Sequence, residues 1–220
     1  MSLKNNINDI RSRIENACKE AGRENDVTLI CVSKTIPAET INEAISLGER
    51  VFGENRPQEL RDKFDKVDGA TWHLIGHLQT NKVKYVVGRA ALIHSVDSIH
   101  LAQAINEYAE KLGIIQDILL EVNISGEESK YGLTTGEIPT IIKEIGALKG
   151  LNFKGFMTMA PLGASEEEIR SIFSQAKSLF DAHKKDGAEV LSMGMSGDFE
   201  LAVKEGATHV RVGRAIFKAN

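Results

Sequence analysis

The sequence has little cysteine, little proline and no surplus of positive charge. Two cysteines in 220 residues, Cys18 and Cys31, cannot build a disulfide framework, and no Cys/His pair stands at zinc-ligand spacing. A reduced, cytoplasmic setting is therefore expected. Four prolines against 19 glycines exclude a proline-rich linker. The 27 basic and 31 acidic residues are scattered along the chain and leave a net charge of −4, so composition shows no cationic field for nucleic acid or an anionic membrane. The start, MSLKNNINDIRSR, lacks the apolar segment of a signal peptide. No later stretch reaches the roughly 18 to 20 uncharged apolar residues that cross a bilayer. With 42% hydrophobic and 26% charged residues, disorder is excluded and a substantial core is expected.

What is present is alternation. Short β-branched runs recur with amphipathic stretches between them, the pattern of a parallel sheet. Eight strand candidates begin at Val27, Arg50, Ala70, Leu92, Asp117, Asn152, Val190 and His209. An opening helix is expected from Leu3 to Ala21, with Ile7, Ile10, Ile14 and Ala17 on one face and Gly22 to stop it. Pro37 opens a later helix and Gly48 closes it, Ser98 caps another, and Glu166, Glu167 and Glu168 suit a helix start. Eight alternations predict a closed α/β barrel, (β/α)8. The rival, an open doubly wound sheet, would carry a glycine-rich nucleotide fingerprint after the first strand, where this chain has V-S-K-T. The six residues after Arg214 leave no room for a full eighth helix, so the N-terminal helix is expected to cover that side.

In such a barrel the chemistry gathers at the C-terminal ends of the strands. Lys34 ends the first strand, and alternation puts it on the inward face with Thr28, Ile30 and Val32. Burial there would favour a neutral amine able to form a Schiff base; the plainer role is a rim lysine paired with a carboxylate such as Glu54. Near the C-terminus, LSMGMSGDFELAVKEG reads as strand, turn and a helix beginning at Ser196, Gly197 and Asp198, which suits an anion, or simply an N-cap at Ser196. Gly213 and Arg214, after the eighth strand, stand where the second half of a phosphate cup would lie. Arg211 is expected inside the mouth, paired with Glu121 or pointing at a ligand ring. Asn55, Gln58, Glu59, His73, His77 and Gln79 add polar groups, and Met157 and Met195 fall at strand ends. The segment around Tyr131 reads as a surface loop. No metal site is expected.

Lys34, the GEN segment, IGHLQ, SGEESKYGL, GFMTM, SMGMSGDF and VRVGRAIF, in this order from about Val27 to Phe217, closely resemble the YggS/PROSC family of pyridoxal phosphate homeostasis proteins. The resemblance implies one domain over residues 1–220: a (β/α)8 TIM barrel of the type III, alanine racemase N-terminal-domain-like fold with an extra N-terminal helix. It implies pyridoxal 5'-phosphate as cofactor, with Lys34 carrying it as an internal aldimine. Ser196, Gly213 and Arg214 would hold the phosphate, Arg211 would face the pyridine nitrogen, and Asn55 and Met157 would lie near the ring. It implies cofactor binding and delivery, with apo-enzymes as partners, a monomer, and no catalytic residue. Two features agree with a carrier: the chain stops after the barrel, without the second domain of the racemases, and an arginine at the ring nitrogen disfavours pyridinium. The alternative is an enzyme, an amino-acid racemase or a Schiff-base aldolase acting through Lys34.

Overall fold

The computed structural model describes residues 2–126 and 131–218. Its strands are β1 (Thr28–Val32), β2 (Val51–Glu54), β3 (Thr71–Leu74), β4 (Leu92–Val96), β5 (Gln116–Glu121), β6 (Leu151–Met157), β7 (Val190–Met195) and β8 (His209–Val212). Each is parallel to its neighbours in chain order, and β8 pairs with β1, so the sheet closes into a barrel. All eight predicted strands are present, and closure decides against the open sheet.

The helices are α1 (Leu3–Glu20), α2 (Ala38–Ser46), α3 (Pro57–Phe64), α4 (Ile99–Leu112), α5 (Ile138–Ile145), α6 (Glu166–Ala182), α7 (Phe199–Lys204) and α8 (Arg214–Phe217). A 3-10 turn, Thr80–Tyr85, stands between β3 and β4. Ser98 caps α4 by accepting from the Leu101 N–H at 3.2 Å. The acidic start of α6 is part of a capping box: Ser165 accepts from the Glu168 N–H, and the Glu168 carboxylate accepts from the Ser165 N–H. As expected, α8 is short and α1 covers that side, burying Ile7, Ile10, Ile14 and Ala17. Asn6 Nδ2 donates to Ile216 O at 2.9 Å, and Arg13 forks onto Glu200 at 3.2 and 2.8 Å. Among the described residues no helix is long and apolar enough to cross a membrane.

Strand alternation sorts the core into two layers. Leu29, Cys31, Leu191 and Met193 face outward into the main core, which is shared with the helices. Ile30 faces Gly53, whose Cβ, if present, would lie 2.8 Å from the Ile30 side chain. Leu92, Leu119 and Met157 form a separate apolar cluster. The β7–β8 register slips between Ser192 and Met195. Gly194, at φ 91° and with no room for a Cβ beside Ala202, makes that bulge. It brings Met195 opposite Arg211 and re-aims the end of β7 toward the end of β8.

Candidate functional site

Barrel closure places the ends of β7, β8, β1 and β2 side by side, so the turns bearing Ser196, Gly213–Arg214, Lys34 and Asn55 follow one another around a single rim. The turn at Lys34 is clamped. Ser33 is fully buried; its N–H donates to Gly53 O at 3.0 Å and its hydroxyl to Glu54 Oε1 at 2.7 Å. Lys63 Nζ, from α3, donates to Ser33 O at 2.8 Å, to Glu54 Oε1 at 2.7 Å and to Glu59 Oε2 at 3.3 Å. Beyond Lys34, Thr35 has φ 63° and donates its N–H to Glu59 Oε2 at 2.9 Å. Thr35 is also the only non-glycine residue with positive φ among those described.

Two expectations for Lys34 are corrected. Its side chain is exposed and not buried in the barrel mouth. It does not pair with Glu54, whose Oε1 takes the Lys63 and Ser33 bonds instead. Burial pushes the Glu54 carboxyl up against the opposing effect of those partners, and its Oε2 is buried without a hydrogen bond. The Lys34 amine itself has no partner among the described residues.

The anion-binding half of the rim differs in detail from expectation. Ser196 and Gly197 lie in the turn, and the N-cap of α7 is Asp198, whose side chain makes no cap bond. Asp198 instead accepts from the Met195 N–H at 2.5 Å and braces the turn. The Ser196 hydroxyl, which would have capped the helix in the plainer reading, finds no acceptor or donor among the described residues. The same holds for the backbone N–H groups of Ser196, Gly197, Gly213 and Arg214, and for the exposed Arg214 guanidinium. At Gly213 a Cβ would lie 3.0 Å from Val32 Cβ and O, which keeps the ends of β8 and β1 in close approach. A hydroxyl, four unengaged N–H groups and a guanidinium are a donor set that fits a phosphate.

Below this rim runs a buried polar layer. Arg211, 4% exposed, donates from Nη1 to Ser192 Oγ at 2.7 Å and from Nη2 to Thr158 O at 3.0 Å. It makes no ion pair with Glu121, as one expectation had it. Burial pushes the Glu121 carboxyl up to about 7, with Asp97 adding to the rise and Arg211 opposing it. Burial lowers the Arg211 guanidinium to about 10, opposed by Asp198 and Glu121. Met157 is 1% exposed and packed with Leu92 and Leu119; among the described residues the exposed methionines are Met159, just past β6, and Met195, at the end of β7. Asn55 Oδ1 is buried and has no hydrogen bond, an acceptor awaiting a donor.

Beside Asn55 a groove of about 560 Å³ is lined by Arg56, Gln58, Glu59, His77, Gln79 and Lys82, among others. His77 Nδ1 is 3.3 Å from Asp97 Oδ2, and the His77 ring stacks on Tyr131 at 4.3 Å. Lys130, on the Tyr131 loop, lies outside the described residues. The reading of the sequence missed the Ser33–Glu54–Lys63–Glu59 clamp, although the i, i+4 spacing of Glu59 and Lys63 signalled one pair of it. It also missed His94, Ser192 and Thr158, whose only signal was a polar residue inside or just past a strand.

The chain matches the alanine racemase N-terminal domain family over residues 2–220 and belongs to it. Within that class it groups with the pyridoxal phosphate homeostasis proteins. The relative of that name from Aquifex aeolicus is 41% identical over 217 residues, covering 96% of this chain and 95% of its own. PipY of Synechococcus elongatus, solved with PLP bound, superposes with a TM-score of 0.86 at 33% identity, over 99% of this chain and 100% of that one. Alanine racemase of Clostridium difficile gives 0.77 at 16% identity, over 96% of this chain and 57% of its own. That second likeness shows the fold alone, so the alternative of a racemase or aldolase loses its support to the homeostasis proteins.

Proposed function

We propose that the chain binds pyridoxal 5'-phosphate through Lys34 and serves in its intracellular homeostasis, as a carrier with negligible turnover. One observation carries this reading: an unengaged lysine amine stands on the same rim as two adjacent strand-end turns that leave the Ser196 hydroxyl, the N–H groups of Ser196, Gly197, Gly213 and Arg214, and the Arg214 guanidinium without a partner among the described residues. When bound, the cofactor supplies an aldehyde that an amine can hold covalently. Ser196, Gly213 and Arg214 hold its phosphate, Arg211 donates toward the ring nitrogen, and Asn55 lies near the ring. The names of the relatives and the bound PLP in PipY support the same reading.

The carrier part rests on Arg211. A guanidinium only donates and stays charged, so beside the ring nitrogen it opposes protonation of the ring and with it the full electron sink that racemases and aldolases of this cofactor exploit. The cytoplasm is the proposed compartment, apo-enzymes that use the same cofactor are the proposed recipients, and a monomer is the proposed state. Absorbance tests the binding reading. Added pyridoxal phosphate gives the visible band of a lysine-bound cofactor, which Lys34→Ala abolishes with unchanged far-ultraviolet circular dichroism and Lys82→Ala retains. A Lys34→Ala variant that keeps the band overturns it. Chiral analysis of L-alanine incubated with loaded protein in deuterated water tests the carrier part. Enzyme-like formation of the D-isomer, lost in Tyr131→Phe, overturns that.

A further inference from the structure

Arg211 is the end of a longer buried chain. Ser192 Oγ, which takes the Arg211 bond, also lies 3.0 Å from His94 Nδ1, and His94 Nε2 lies 3.0 Å from His73 Nδ1. The four side chains are 4%, 0%, 0% and 6% exposed in that order, so an unmatched donor or acceptor among them would be costly. They come from β8, β7, β4 and β3. Because β4 and β7 are not neighbours in the sheet, the chain of bonds crosses the barrel interior.

The direction of every bond is fixed by counting protons. Arginine can only donate, so Ser192 Oγ accepts from Nη1. The hydroxyl then has one proton left, and its remaining partner is His94 Nδ1, which must accept. His94 therefore carries its proton on Nε2 and donates to His73 Nδ1, so His73 carries its own proton on Nε2 as well. With the links reversed, Arg211 Nη1 and His94 Nδ1 would both donate to Ser192 Oγ, and the hydroxyl's own proton would be buried with no acceptor among the described residues. Both rings are neutral here: burial, with neighbouring histidines and, for His94, Arg211 adding to it, holds His73 at about 3 and His94 well below its ordinary value.

We propose that Ser192, His94 and His73 are positioning residues for Arg211, locking its guanidinium plane so that the edge not spent on Ser192 and Thr158 serves the ring nitrogen of the cofactor. The inference rests on the reading that Arg211 faces that nitrogen. Two observations favour positioning over simple space filling. Nη1 and Nη2 are both tied to acceptors on the β6–β7 side, which sets the plane, while Nε has no acceptor among the described residues. The charges that would otherwise draw Arg211 away, Glu121 and Asp198, are not hydrogen-bonded to it. A hydroxyl at 192 with its acceptor at 94 is what holds the guanidinium against that pull.

Three measurements test this. Long-range ¹H–¹⁵N spectra of the unloaded wild-type protein should show Nε2–H tautomers for both His73 and His94; an Nδ1–H tautomer at His94 overturns the chain without any variant having to fold. Protein loaded with pyridoxal phosphate labelled at the ring nitrogen should show a shifted nitrogen resonance in Ser192→Ala, with affinity reduced about three- to tenfold for one lost hydrogen bond. Ser192→Thr, which restores the hydroxyl, should return both toward wild type. A Ser192→Ala resonance identical to wild type, whatever its melting temperature, overturns the positioning role if Arg211→Gln does move the signal. If Arg211→Gln leaves it unmoved too, the placement of Arg211 at the ring fails, and the proposal with it.

Discussion

The backbone N–H of Thr35 is bonded to Glu59 Oε2 at 2.9 Å while Thr35 holds a φ of 63°, a conformation that a β-branched residue rarely adopts. The same helix, α3, supplies Lys63, whose Nζ holds Ser33 O at 2.8 Å. The residues on either side of Lys34 are thus fixed from one helix, while the lysine side chain stays free. The strain at Thr35 persists because the surrounding bonds over-determine the turn, and it sets the direction in which Lys34 leaves the strand end.

Glu59→Ala should therefore loosen the lysine more than the barrel. Losing a bond to a carboxylate in a half-exposed setting costs about 1 kcal/mol, partly offset as Thr35 relaxes. Thermal unfolding should show that modest loss, while pyridoxal phosphate affinity falls about three- to tenfold by the same bond-level argument. Glu59→Gln keeps an acceptor oxygen and should recover most of the affinity. Wild-type affinity in the alanine variant would show that the position of Lys34 does not depend on the clamp.

Ser196→Ala should separate phosphate holding from turn shaping. Its hydroxyl has no partner among the described residues, so stability should stay within about 0.5 kcal/mol of wild type. A lost bond to a charged acceptor weakens cofactor affinity by roughly 1.5 to 3 kcal/mol, about ten- to hundredfold. Pyridoxal, which lacks the phosphate, should bind both proteins alike. Equal losses for the two compounds in parallel titrations would mean that Ser196 shapes the turn only.

Asn55 carries the opposite signature. Its buried, unbonded Oδ1 costs the empty protein on the order of 1 kcal/mol, so Asn55→Ala should leave the unloaded melting temperature unchanged or slightly higher. The loaded protein should lose stability instead, because the donor that the ligand brings is no longer met. Calorimetry with and without pyridoxal phosphate reads the two signs, and a parallel drop in both states would assign Asn55 a structural role.

The architecture was legible because strand alternation and helix stops are local: Ile7, Ile10 and Ile14 declare one face, and Gly22 at φ 66° ends α1. Lys34, Ser196 and Gly213 could be placed at strand ends from spacing alone. The partners of those residues could not be. Arg211 had a carboxylate in range by strand count, yet it bonds Ser192 and Thr158, because the β7 bulge and the true β6 register are set by packing between strands far apart in sequence. Lys34 looked inward by alternation, but the alternation ends at Val32 and the turn at Thr35 redirects the chain.

The interior histidines predict how stability responds to acid. Burial, with added repulsion from neighbouring charges, lowers His73 to about 3 and His209 to about 4, and holds His94 well below its ordinary value. Unfolded histidine binds its proton near 6.5, so below that pH the unfolded chain takes up protons that the folded barrel refuses. The stability these groups lend is complete above pH 6.5 and is lost as the pH falls toward 4. Glu121, raised to about 7 mainly by burial, acts in the other sense: its contribution is full below about 4.5 and is lost as the pH rises through 7. Three histidines outweigh that one carboxylate between pH 6.5 and 4.5, so denaturant titrations across this interval should show stability falling on acidification. Each group changes the slope by at most about 1.4 kcal/mol per pH unit. His209→Gln should make the fall shallower by up to one proton, and Glu121→Gln should make it steeper by up to one, since it removes the term that opposes the loss. Slopes equal to wild type in both variants would show that these groups keep ordinary affinities for protons and that the acid response comes from the surface.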